Sequence, residues 1–87
     1  MKTVHVFIEG NVQGIFFRSF IESEAKKLHI KGFVRNTLDS RVEAVFQGDE
    51  GKIKEILKLC EEGPGKVSKI TVNNYPTKNF EGFCIKR

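Results

Sequence analysis

The sequence predicts an α+β fold, with one mostly antiparallel sheet and two helices on one of its faces. Three observations carry that prediction. Apolar residues alternate with polar ones in four stretches and a short fifth. Two other stretches repeat their apolar residues at helical spacing. The order along the chain is β-α-β-β-α-β with a terminal strand. At 87 residues the chain is long enough for a single core, so residues 1–87 read as one domain.

Each element has its own signal. Val4, Val6 and Ile8 share one face of a strand running to Glu9. Gly10 to Ile15 is a loop with two glycines. From Phe17 the period becomes helical: Phe17, Phe20, Ile21, Ala25 and Leu28 form a stripe, with Glu22, Glu24, Lys26 and Lys27 opposite, until Lys31-Gly32 ends the helix. Residues 32–36 form a second strand, Thr37 to Ser40 a turn and residues 41–47 a third strand, which makes a hairpin. Gly48-Asp49 opens a second helix, buried along Ile53, Ile56, Leu57 and Cys60 and stopped at Gly63-Pro64-Gly65. Residues 69–73 are a fourth strand, and Phe83 to Lys86 a last short one. Phe7, Phe20, Phe33 and Phe46 are assigned to the core. This order fits a ferredoxin-like sandwich.

Composition narrows the function. Hydrophobic residues are 39% and charged residues 30%, which suits a soluble globular chain. The apolar run Ile15-Phe16-Phe17 breaks at Arg18, far short of the ~20 residues a membrane helix needs. Met1 to His5 runs straight into strand-like alternation, so no signal peptide is read and a cytoplasmic location is expected. Cys60 and Cys84 are widely separated and sit in apolar periodic surroundings, where both read as small core residues rather than a disulfide or zinc pair. With only His5 and His29 besides, neither a metal site nor a Ser/His/Asp triad is supported. Net charge is +4, with +3 in residues 1–41 and +1 in residues 42–87. That excess suits solubility or affinity for anions, not a grip on nucleic acid.

The crossover between the first two strands makes them parallel, and the third strand can lie between them. Their C-terminal ends then share one edge of the sheet, which brings Arg18 and Asn36 to neighbouring positions. Loop amides meeting at a helix N-terminus can hold an anion. Arg18 stands where a helix dipole disfavours a cation, and a bound phosphate would supply its partner. An ordinary turn followed by a surface arginine is the alternative. Asn36 ends a strand before a turn, where asparagine often only shapes the turn. Phe16 could border a substrate or act as a hydrophobic staple. Glu9 and Glu43 fall among outward-facing residues.

The segment Gly10-x-Val12-Gln13-Gly14-Ile15-x-Phe17-Arg18 closely resembles the acylphosphatase signature. Gly32-Phe33-Val34-Arg35-Asn36-x-x-Asp39-x-x-Val42-Glu43 resembles that family's second motif. Ala44 to Gly48 and Glu62-Gly63-Pro64 are similar too, so the resemblance runs from about Val4 to Ile85. It implies the ferredoxin-like fold and hydrolysis of the carboxyl-phosphate bond of acyl phosphates, with no metal, no cofactor and no covalent intermediate. It implies that Arg18 binds the phosphoryl group together with loop amides of Asn11, Val12, Gln13, Gly14, Ile15 and Phe16. It implies that Asn36 orients the attacking water. The expected partners are a small acyl phosphate and inorganic phosphate as product inhibitor, with no nucleic acid and no membrane, and the chain is expected to be a monomer.

The sequence departs from the pattern at Ser40, where a glycine is usual and where serine is expected to resist a positive φ. It lacks a second proline after Pro64 and ends in Arg87 rather than an aromatic residue. Two rival readings share the same element order. An RNA-recognition module would need further aromatics and its motif on the third strand, whereas Lys31-Gly32-Phe33-Val34 is on the second. A degenerate, phosphate-binding relative is opposed by intact Arg18 and Asn36.

Overall fold

A computed structural model describes residues 1–12, 15–76 and 79–86. The elements are β1 (Lys2–Asn11), α1 (Ile15–Lys27), β2 (Lys31–Asn36), β3 (Val42–Gly48), α2 (Glu50–Glu62), β4 (Lys66–Asn74) and β5 (Phe83–Ile85). The strands form one sheet in the order β4-β1-β3-β2-β5. Every pairing is antiparallel except β2 with β5. The predicted α+β sandwich is therefore observed, with β3 between the parallel β1 and β2. The last strand completes the edge: the Lys86 amide donates to the Val34 carbonyl at 2.8 Å and the Gly32 amide to the Gly82 carbonyl at 2.9 Å.

Alternation decides which face is buried. Val4, Val6 and Ile8 stand opposite Phe46, Ala44 and Val42 in the register, and all six are at most 2% exposed. They meet Phe17, Ile21 and Ala25 of α1 and Ile53, Ile56 and Cys60 of α2 in one core. Both helices thus cover the same face of the sheet. The rings of Phe46 and Phe83 stack at 5.8 Å.

The same period of two sends Phe7 and Phe33 to the other face, which neither α1 nor α2 covers, so they are half-buried rather than core. There the Arg41 guanidinium lies 4.2 Å over the Phe7 ring, and the Lys86 ammonium 4.2 Å over Phe33. Cys60 is buried as expected, and burial together with the Glu61 charge pushes its thiol up to about 12. Cys84 is exposed, because β5 is an edge strand and this residue faces away from the helices.

β4 starts three residues earlier than its alternation suggested. The register slips between Glu9 and Gly10, and beyond that bulge Gly10 and Asn11 pair with Val67 and Lys66. Gly10 has φ +134°, and a Cβ there would lie 2.2 Å from the Lys66 carbonyl oxygen. Only glycine allows that approach. At the hairpin tip Ser40 takes the left-handed conformation after all, at φ 69°. The turn is held locally. The Thr37 amide donates to the Arg41 carbonyl at 2.8 Å, the Arg41 amide donates to the Thr37 hydroxyl at 3.0 Å, and the Thr37 hydroxyl donates to Asp39.

The helix-free face also carries a charged clasp. Glu43, whose side chain is 14% exposed, contacts His5 Nε2 at 2.6 Å through one carboxylate oxygen and accepts from Arg35 Nε through the other. It thereby links β1, β3 and β2. Burial by itself would raise the Glu43 carboxyl, but the hydrogen bonds from His5 and Arg35 outweigh it and hold the value below the usual 4.5. A depressed folded value means the clasp stabilises above the ordinary carboxylate range and is lost as pH falls through the folded value. Thermal melts should hold steady down to about pH 4.5 and then fall. Glu43→Gln should flatten that acid limb and lower stability at neutral pH by about 1–3 kcal/mol. An unchanged acid limb in the variant would refute this assignment.

Candidate active site

The register itself builds the site. Ile8 of β1 and Asn36 of β2 both pair with Val42 of β3, from opposite sides. They stand level across two strand spacings, about 10 Å apart. The chain leaving β1 at Asn11 and the chain ending β2 at Asn36 therefore emerge at one edge of the sheet. α1 begins at Ile15 on that edge and packs over β2 and β5.

Of the residues proposed for the loop, Asn11 is exposed at the end of β1. Val12 is 1% exposed, with its side chain in the core, so only its backbone is left for a ligand. Gln13 and Gly14 lie outside the described residues. Ile15 and Phe16 belong to α1, which starts two residues before the periodicity suggested. Phe16 is 82% exposed, which excludes the staple. Phe17, at 3%, is the residue that anchors the first turn.

The loop is backed from an unexpected quarter. Gly65, read in the sequence only as part of a helix stop, sits against it. A Cβ there would lie 2.7 Å from the Asn11 carbonyl oxygen, 3.2 Å from Val12 Cγ1 and 3.3 Å from Phe17 Cδ1. The Gly-Pro-Gly sequence was the available signal, but nothing in it names the loop as the neighbour.

Arg18 is half-buried in the first turn of α1, which contains no acidic residue. On the helical wheel Phe17, Ile21 and Ala25 face the sheet. Phe20 lies towards the turn after α2, where a Cβ on Gly63 would meet its ring at 2.9 Å. Arg18 falls on the opposite flank, away from that turn. Asn36 shares a face of β2 with the buried Val34, so its carboxamide points to the helix side of the sheet. Arg18 and Asn36 are thus brought to the same edge, one from the helix layer and one from the sheet.

Asn36 has a further property. Its Oδ1 is buried and accepts no hydrogen bond among the described residues. Such an acceptor normally costs about 1–3 kcal/mol. No other buried side-chain polar atom among the described residues is left unsatisfied in this way. A carboxamide oxygen without a described donor, at the edge where a basic residue enters a helix N-terminus, is suited to hold a polar small molecule. No group of three His, Cys, Asp or Glu among the described residues is arranged to hold a metal ion.

Comparison with known proteins decides the family. The acylphosphatase family model matches residues 4–85. This chain belongs to the acylphosphatase family. An acylphosphatase from Rubrobacter xylanophilus is 43% identical, over 98% of this chain and 80% of that protein. One from Haloquadratum walsbyi is 38% identical, over 95% of this chain and 91% of that protein. The crystal structure of acylphosphatase from Bacillus subtilis superposes with a TM-score of 0.95 at 30% identity, each chain wholly covered. Family membership makes the protein a hydrolase and implies a small acyl phosphate as substrate. Among the described residues no helix is long and apolar enough to cross a membrane.

Proposed function

We propose that this acylphosphatase works by direct attack of water on a phosphoryl group held by Arg18 and the loop amides of residues 11–16, with Asn36 placing the water. The observation that carries the reading is the uncommitted Oδ1 of Asn36 at the edge Arg18 shares. Rotation about χ2 exchanges the two ends of a carboxamide, and no described donor holds this oxygen inward. It can therefore accept a hydrogen bond from a water approaching phosphorus.

The chemistry asks little else of the protein. An acyl phosphate is a mixed anhydride whose leaving group is a carboxylate, which departs without being protonated. No general acid is required, which suits a site without histidine. Charge on the phosphoryl oxygens must be neutralised as the bond to the leaving oxygen breaks, and a guanidinium with converging amides at a helix N-terminus does this without a metal. Fixing the water in line supplies the remaining positional advantage. The water's proton passes to a phosphoryl oxygen, so the products are a carboxylate and inorganic phosphate. All of these groups come from one chain, so a monomer is sufficient.

The test is loss of benzoyl phosphate in the presence of EDTA. Turnover unchanged by the chelator is expected, with inorganic phosphate inhibiting competitively. A rate no higher than in buffer would defeat the hydrolase mechanism, and a rate abolished by EDTA would defeat its metal independence.

A further inference from the structure

We propose that the exposed ring of Phe16 is the platform for the acyl half of the substrate, and that the enzyme therefore favours acyl phosphates with an aromatic or apolar acyl group. The inference rests on the hydrolytic reading above and assigns the half of the substrate that Arg18 and Asn36 leave unaddressed.

Phe16 is anomalous in this chain. The other seven phenylalanines are buried or half-buried, whereas Phe16 is 82% exposed. The large apolar side chains most exposed among the described residues are Met1, Phe16, Leu38 and Val72. Two of these, Phe16 and Leu38, stand at the end of the sheet that Arg18 and Asn36 share. Phe16 opens α1, and Leu38 lies in the β2–β3 turn, two residues past Asn36.

Displacement geometry separates the two. Water and leaving group lie on opposite sides of phosphorus in an in-line attack. The water is on the β2 side, with Asn36, so the carboxylate departs towards the side away from β2. Arg18 and Phe16 are two residues apart, hence about 200° apart around the helix. Phe16 falls on the flank towards α2, one turn before Phe20 and on the same side, and so away from β2 and β5, which α1 covers; Arg18 is on the other flank. Phe16 is thus on the leaving-group side of the bound phosphoryl group, and Leu38 on the water side. An aromatic face there would cover an aryl or alkyl group while contributing nothing to a substrate that carries only a methyl.

The experiment compares kcat/KM for benzoyl phosphate with that for acetyl phosphate. The ratio should fall about three- to tenfold in Phe16→Ser, the effect of losing one partly exposed apolar contact. It should be retained in Phe16→Tyr and in Leu38→Ser. Because Phe16 packs on so little, melting temperatures should stay close to wild type. A ratio unaltered in Phe16→Ser, with both substrates hydrolysed, overturns this inference alone. A ratio that falls in Leu38→Ser as far as in Phe16→Ser places the acyl group on the wrong side and overturns it as well. A wild-type protein that hydrolyses neither compound overturns the hydrolytic mechanism, and this inference with it.

Discussion

Replacing Asn36 with alanine should lower kcat on benzoyl phosphate roughly hundred- to thousandfold, the range expected when a reacting group loses its positioning. Competitive inhibition by inorganic phosphate should stay within about twofold of wild type, because charge recognition is left intact. The melting temperature should hold or rise. Asn36 keeps an acceptor buried without a described donor, and alanine removes that desolvation cost. Loss of turnover in a protein at least as stable as the original is the signature of a residue kept for its chemistry. Full activity in Asn36→Ala would show that the water is placed by something else. A clear fall in melting temperature would show that the carboxamide serves the fold.

Arg18→Ala should lose both catalysis and phosphate inhibition. A guanidinium that meets developing charge on a transferring phosphoryl group contributes about 10³–10⁵-fold in comparable systems, and the fall in kcat/KM should lie towards the lower end here, since the loop amides remain. Arg18→Lys should recover little, because an ammonium cannot reproduce a two-pronged hydrogen bond to phosphate. Stability is expected to change modestly, the side chain being half-buried in a first turn whose anchor is Phe17. If Arg18→Ala kept normal phosphate inhibition while losing turnover, the anion would be held by the loop alone and the arginine would act only on the transition state. The two variants together separate positioning of the nucleophile from binding of the phosphoryl group.

How far the sequence could be read depended on the range of the interaction. The alternation of Val4, Val6 and Ile8 and the helical stripe of Ile53, Ile56, Leu57 and Cys60 are local, and the structure bears out both, with Leu57 half-buried at the margin of the core. The phenylalanines were harder. Phe7 and Phe33 are as apolar as Phe46, yet the strand period places them on the uncovered face, where cations from Arg41 and Lys86 shield them. Alternation held the answer for Phe7, between Val6 and Ile8, but hydrophobicity by itself pointed the wrong way. Cys84 reads as core yet is exposed, because an edge strand cannot be told from a central one by its own residues. β4 ran further than its pattern because its first residues pair across a bulge that Gly10 makes possible. Ser40 reached a positive φ because hydrogen bonds of Thr37, Asp39 and Arg41 fix the turn around it.

For the site, the residue types and their order along the chain were written in the sequence: two glycines, an arginine opening a helix, an asparagine closing a strand. Those choices rest on local backbone freedom and side-chain chemistry. The crossover also put the ends of the first two strands at one edge; what the folded chain alone decided was the register and the burial there. Ile8 and Asn36 are level because both pair with Val42, Gly65 reaches the loop from behind, and the Asn36 oxygen is buried without a described donor. Each of these is set by strand register and packing between segments far apart in the chain, a geometry that no stretch of residues specifies until the whole sheet has closed.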